Sequence, residues 1–285
     1  MFEIIVNIMA LMTIDLHNHS YYSDGVLSPS EVVRLAKESN CEVFALTDHD
    51  TTNGLDEAQQ EANNQQIKLI HGVEISTMWS NMTLHIVGLN IDKDNPTLQA
   101  GLTQHQDFRK TRAERMARSL GGAGVVGAME KTRALAKTDM LTRTHFAQML
   151  IQEGICKDMK SVFRRFLTGK KPGGVSGKWA QFDEVIEWIH AAGGVAVLAH
   201  PLRYRMTQTK VQRMLSHLSN AGLDGVEVVT AHSTEVEIAL MSKWADEYEL
   251  LYSCGSDYHG WDNQRVKIGQ LKDFPNPDRA LWRKW

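Results

Sequence analysis

The feature that most constrains this chain is a repeated local pattern. Short apolar, β-rich runs alternate with amphipathic stretches, and most of the apolar runs end on a histidine or a carboxylate. Met12-Thr13-Ile14 leads into Asp15-Leu16-His17-Asn18-His19, and Cys41–Thr47 ends at Asp48-His49-Asp50. Ile67–Ile75 carries Glu74, and Leu84–Leu89 holds His85. Gly194–Ala199 ends at His200-Pro201, Gly225–Val229 follows, and Leu250–Cys254 runs into Gly255-Ser256-Asp257-Tyr258-His259. Ser28-Pro29-Ser30-Glu31 is a capping box with proline at the first helical position and predicts a helix to about Ser39. The spacing predicts further helices over 54–66, 182–192, 209–221 and 234–248. Such alternation defines an α/β chain with parallel strands and right-handed crossovers. Seven or eight units of this kind close most naturally into a barrel, whose functional residues gather at the carboxyl ends of the strands. His85 alone is misplaced, because it lies early in its run.

The alternation stops after Asp92. Pro96–Leu120 has helical spacing, Gly121–Gly124 interrupts it, and helical stretches follow near 127–137, 143–153 and 158–167. A Gly- and Lys-rich loop over 169–174 completes a helical insertion. The expected organisation is a barrel from 12–92 and 179–285 interrupted by an insertion domain, 93–178. The net charge of -3 conceals an asymmetry: the insertion has 17 basic against 7 acidic residues, the remainder 14 against 27. A basic segment in an otherwise acidic chain marks where an anion sits. With 285 residues, 42% of them hydrophobic, the chain can bury a sizeable core. Cys41, Cys156 and Cys254 have no metal-type spacing and fit a reduced, cytoplasmic setting. Met1–Met12 is short, interrupted by Glu3 and without a basic flank. It reads as a first strand or a loose extension rather than a signal peptide, with Met9 and Met12 as alternative starts. No apolar run is long enough to cross a membrane, and no obligate protein partner is evident.

In a strand, alternate side chains share a face, so His17 and His19 point the same way and can hold one divalent ion. An isolated His-x-His is as readily an ordinary pair at a strand edge; its recurrence downstream favours the metal. The full candidate set is His17, His19, Asp24, His49, Glu74, His85, His200, Asp257 and His259. Mixed imidazole and carboxylate ligands suit Mn²⁺, Fe²⁺ or Zn²⁺. Nine ligands exceed what one ion takes, so two or three ions are implied. Asp48 and Asp50 flank His49 and read equally as orienting groups or as exposed helix caps.

The runs DLHNHSYYSDG, ALTDHDT, GVEIS, HIVGLN, LAHP and GSDYH together resemble the PHP (polymerase and histidinol phosphatase) superfamily, from one end of the barrel to the other. The resemblance implies a distorted (β/α)7 barrel and a trinuclear centre of divalent ions, with Mn²⁺ expected and Fe²⁺ or Zn²⁺ as alternatives. It assigns His17, His19, Glu74 and Asp257 to one ion, a bridging Glu74 with His85 and His200 to the second, and Asp24, His49 and His259 to the third. The implied chemistry is attack on phosphorus by a bridging hydroxide held by the metals on His17, His19, Glu74 and Asp257. Three such ions, three carboxylates and one hydroxide leave a charge of about +2, which matches a phosphate dianion.

The size and place of the insertion, with TRTHFAQ (142–148), GKKPGG (169–174) and HPLRY (200–204), resemble one subgroup of that superfamily. It holds the 3′,5′-nucleoside bisphosphate phosphatases and the 5′-to-3′ exoribonuclease called ribonuclease AM. The likeness implies a nucleotide 3′,5′-bisphosphate or short RNA as substrate, with Arg143, Lys171 and Arg203 on its phosphates. Guanidinium groups grip phosphate in two-pronged fashion; without the resemblance, Arg143 reads as a helix-surface residue. The competing readings are a histidinol-phosphatase-like phosphomonoesterase and a PHP scaffold without catalysis. His145 is expected to pack in its helix, and His71, His105, His190 and His217 to be structural or superficial. His232 is open. Tyr21, Tyr22 and Trp79 are near strand-end loops and are expected to pack, although any of them could stack on a base.

Overall fold

The structure, a computed structural model, describes residues 13–175, 177–261 and 266–285. The expectations for Met1–Met12 fall outside it. Seven strands form one sheet in chain order: β1 (Ile14–Asp15), β2 (Val43–Leu46), β3 (Lys68–Trp79), β4 (Met82–Leu89), β5 (Val195–Leu198), β6 (Gly225–Thr230) and β7 (Leu251–Gly255). The sheet curls until its edges meet: Leu16 N–H donates to Cys254 O at 3.1 Å and Asp257 N–H to His17 O at 2.9 Å. Buried Asp15 fastens the seam by accepting from the backbone N–H groups of Ser256 and Gly269, both at 2.9 Å. This is the expected distorted seven-stranded barrel.

One expectation is corrected. The strands are not all parallel, because β4 runs antiparallel to both β3 and β5. The sequence places no helix between β3 and β4. Trp79 pairs with Met82 across a two-residue turn, and its central residues, Ser80 and Asn81, both have positive φ (48° and 63°). That geometry suits the twist of a tight hairpin. The reversal also places the start of β4 at the end of the barrel where the parallel strands finish. His85, opposite Ser76 of β3, thereby reaches the functional rim.

Helices α1 (Pro29–Glu38) and α2 (Leu55–Gln65) cover the first strands, and α7 (Phe182–Ala191), α8 (Gln208–Asn220) and α9 (Glu235–Glu247) cover the rest. The α1 cap is as expected, with Ser28 and Glu31 bonded reciprocally. Between β4 and α7 are α3 (Pro96–Gly122), α4 (Ala128–Leu135), α5 (Arg143–Gln152) and α6 (Met159–Val162), the last continuing as a π-turn over Phe163–Leu167. These helices serve two cores. Leu98 and Leu102 of α3 join the barrel cluster, whereas Ala113, Met116 and Leu120 join a separate cluster with Phe146, Leu150 and Val162. Each large side chain buried this way contributes roughly 1.5–3 kcal/mol. Thus α3 is shared, its first half resting on the barrel and its second half building the insertion.

Candidate metal centre

Six of the seven strands, all but β6, carry or lead into side chains of one polar knot. Glu74, fully buried, lies at its middle. Its Oε2 is 3.3 Å from both His17 Nε2 and His19 Nε2 and 2.8 Å from His49 Nδ1. Its Oε1 is 2.8 Å from His85 Nδ1 and 3.1 Å from His200 Nε2. Asp257 Oδ1 approaches His19 Nε2 at 3.2 Å, and Asp24 Oδ1 approaches His259 Nε2 at 3.1 Å. All nine residues singled out in the sequence therefore meet in one place. Three sets have donor atoms within the span of a single ion: His17, His19, Glu74 and Asp257; His19, Asp24, His49 and His259; and His49, Glu74 and His85. The first contains the four expected partners. The second gathers the expected three together with His19. The third has His49 in the place expected for His200, which nevertheless bonds to the same carboxylate.

Sharp turns aim these side chains inward. His200 and Asp257 have φ of 33° and 56°, and Asp50, beside His49, has 51°. Non-glycine residues in the left-handed region store strain, and such strain gathers at functional sites.

The donor chemistry fits cations. Among the described residues, Asp24 Oδ1, His49 Nδ1, Glu74 Oε2 and His200 Nδ1 are buried without a hydrogen-bond partner. The 2.8 Å approach of His49 to Glu74 is thus not a directed hydrogen bond. Two acceptor atoms that converge without bonding each other suit a shared positive ion, since a buried unpaired polar atom is otherwise costly. Burial alone would raise the Glu74, Asp24 and Asp257 carboxyls. The surrounding imidazoles outweigh it and hold all three well below the ordinary carboxylate range. Burial likewise pulls the His17 and His19 imidazoles down, and the facing carboxylates outweigh it, lifting His17 well above its usual value and His19 to about 10. Burial prevails at His49, lowering it to about 4.

Groups behind the knot orient it. Glu227, on β6 and buried, has Oε1 2.7 Å from His17 Nδ1 and accepts the His200 backbone N–H through Oε2 at 2.6 Å. A carboxylate there fixes the proton on Nδ1 and leaves Nε2 as the free donor. Asp48 accepts from the Ser20 and Ser23 hydroxyls, both at 2.6 Å, and Ser23 Oγ lies 3.3 Å from His19 Nδ1. Asp48 is thus a buried orienting group, with no role as an exposed cap. Asp50 is equally buried but faces the insertion. It accepts from Arg109 Nε at 2.7 Å and pairs with His105 Nδ1 at 3.0 Å. His105 Nε2 accepts from Ala180 N–H, so the ring proton is on Nδ1 and His105 is structural, as expected.

A cavity opens beside Asp24, His49 and His85, and its other wall holds Arg109, Arg112 and Arg143. Arg143 was expected at such a place; Arg109 and Arg112 are additions that sequence reasoning missed. Arg109 is paired with Asp50, but among the described residues neither Arg112, whose Nε donates to Val175 O at 3.1 Å, nor Arg143 forms an ion pair. Burial and neighbouring guanidinium groups lower both, Arg112 to about 9. Arg203 is elsewhere, paired with Asp257. Lys171 is exposed on its loop and does not line this cavity. His145 caps its own helix, its Nδ1 accepting from Thr142 N–H at 3.1 Å.

The barrel with this carboxylate and imidazole rim defines the class: the chain belongs to the PHP family, whose PHP domain model matches residues 15–253. Among its relatives is the 3′,5′-nucleoside bisphosphate phosphatase of Chromobacterium violaceum, 41% identical over 275 residues that cover 96% of each chain. Another is a 5′-3′ exoribonuclease of Haemophilus influenzae, 40% identical over 95% of this chain and 98% of its own. A solved structure of a C. violaceum amidohydrolase, with bound sulfate and no metal, superposes with a TM-score of 0.91 at 41% identity and 95% coverage of both chains. No helix among the described residues is long and apolar enough to cross a membrane.

Proposed function

We propose that this protein is a metal-dependent phosphoesterase that hydrolyses the 3′-phosphate of nucleoside 3′,5′-bisphosphates and removes 5′-mononucleotides from short RNA. The two reactions break the same bond, between O3′ of the first nucleotide and phosphorus. They differ in whether the phosphate carries a further nucleoside. The observation that carries the reading is a pair of half-buried arginines without a carboxylate partner among the described residues, Arg112 and Arg143, facing the metal-ligand cluster across one cavity. Cations partly withdrawn from water and set side by side repel one another until an anion joins them. The phosphates at the two ends of one nucleotide satisfy both demands, one at the arginines and one at the cluster. A histidinol phosphate has no second phosphate for the arginines.

In this reading His17, His19, Glu74 and Asp257 hold one ion, Asp24, His49 and His259 another, and Glu74 with His85 and His200 a third, with Mn²⁺ the expected metal. Bound divalent ions supply a nucleophile from water near neutral pH and neutralise charge on the phosphoryl oxygens. Glu227 and the Asp48–Ser23 pair keep His17 and His19 in the required tautomers. Arg109, Arg112 and Arg143 grip the 5′-phosphate, and Arg203 borders the phosphate at the cluster.

Metal analysis of the purified protein, coupled to assays on adenosine 3′,5′-bisphosphate and a 5′-monophosphorylated oligoribonucleotide, tests this. Phosphate and 5′-mononucleotide release, abolished by chelation and restored by Mn²⁺, is expected. Metal-replete protein that binds RNA yet releases neither product would establish the scaffold reading instead.

A further inference from the structure

The metal-ligand cluster has a second cavity on its other flank. The arginine cavity opens over the ends of β2, β3 and β4, with His49, Ser76 and His85 in its wall. The second opens over the ends of β5 and β6, where His200, Arg203, Thr230 and His232 line it. Sheet order β1 to β7 places these cavities on different arcs of one rim, with the ligands between them.

Their chemistry is opposite. In the second cavity both carboxylates are already engaged: Glu227 by His17 and the His200 backbone, Glu237 by the N–H and hydroxyl of Thr234 at 2.8 Å each. The Thr230 and Ser233 hydroxyls bond each other at 2.9 Å. Arg203 is paired with Asp257. No unbalanced cation is left to hold a second phosphate. What remains is half-buried Leu202 and the exposed, flat His232 ring, over a floor in which Pro201, Val228 and Met241 are buried. That is a surface for an uncharged, planar group.

We propose that this cavity takes the nucleoside joined through its O5′ to the phosphate at the cluster, with His232 as the ring beside its base. The proposal rests on the phosphoesterase reading and locates where its RNA substrate continues beyond the scissile phosphate. With the 5′-phosphate of the first nucleotide among the arginines and the scissile phosphate at the ligands, the chain continues towards the opposite arc. Hydrolysis then adds hydroxyl to phosphorus and a proton to O3′. The P–O3′ bond breaks, the first nucleotide departs with a free 3′-hydroxyl, and the phosphate stays on the downstream O5′. That product carries a new 5′-phosphate and is itself a substrate.

The test compares adenosine 3′,5′-bisphosphate with the 5′-phosphorylated dinucleotide pApA on the metal-replete protein. Wild type is expected to cut both. His232→Ala should lower kcat/KM for pApA about tenfold, mainly through KM, and change the bisphosphate by less than about twofold, as loss of one stacking surface implies. His232→Phe should restore most of the loss. Equal losses on both substrates, or none on either, would overturn the proposal. A wild type that cuts the bisphosphate but not pApA would also overturn it, together with the RNA half of the proposed function, while leaving the bisphosphate half intact. Failure on both substrates would remove that reading and the subsite with it.

Discussion

At the scale of single residues, the site is organised by what stands behind the ligands as much as by the ligands themselves. Glu227 serves two of them at once, accepting from a His17 ring N–H and from the His200 backbone. Glutamine has the same shape but only one acceptor oxygen for these two donors. Glu227→Gln should fold, yet weaken metal binding by roughly 10- to 100-fold, the usual effect of losing a group that orients a ligand. Calorimetric metal titration would measure it, and an unchanged affinity would show that His17 needs no such support. The nine candidate ligands were legible because each follows, or is embedded in, an apolar run whose period marks it as a strand. Glu227 had a signal too, a lone carboxylate within Gly225–Val229, since such a group is seldom buried unpaired. Arg109 and Arg112 had none. On a helix dense with basic residues they look like solvated surface, and only the docking of that helix buries Arg109 and half-buries Arg112.

At the scale of elements, the hairpin and the shared helix account for what the sequence pattern did not show. Period-2 alternation reports that a segment is a strand and not which way it runs, so β4 reads as one more parallel strand. The clue was Ser80-Asn81, two residues able to accept positive φ between paired strands. Helix α3 depends on another local detail. Gly101 faces α7, and a methyl group added there would overlap the Trp188 ring. Gly121, near the end of the same helix, has no atom within 4 Å of where that methyl would fall. Alanine is the better helix former by about 1 kcal/mol, so local propensity alone favours both replacements. Packing decides otherwise. Gly101→Ala is expected to destabilise the protein by about 1–3 kcal/mol through overpacking. Gly121→Ala should stabilise it by roughly 0.5–1 kcal/mol. Urea denaturation of the two variants measures both, and the same sign for both would mean that α3 does not rest on Trp188 as described.

At the scale of the whole molecule, charge is divided between the parts that make the cavity. The insertion carries 17 basic and 7 acidic residues, and the remainder carries 14 and 27. The acidic excess of the barrel includes carboxylates that its own imidazoles, and metals, can offset. The basic excess of the insertion is mostly exposed, on α3, the 169–174 loop and the helices between them. An RNA chain with its 5′ end among Arg109, Arg112 and Arg143 would meet that field with every further phosphate, whereas a mononucleotide would meet only the groups lining the cavity. Exposed charges are screened over about 8–10 Å at physiological salt and buried ones far less. Single-stranded binding weakens with salt in proportion to the phosphates contacted, with a logarithmic slope near -0.7 for each. If three phosphates touch the insertion, raising salt fourfold should lower kcat/KM for a 5′-phosphorylated oligoribonucleotide by roughly tenfold or more, with the change in KM. Adenosine 3′,5′-bisphosphate, which would meet only the arginines lining the cavity, should respond far less over the same range. Parallel salt titrations of the two substrates measure the difference. Equal slopes would mean that the basic face of the insertion does not follow the RNA, and that its charge serves only the cavity it walls.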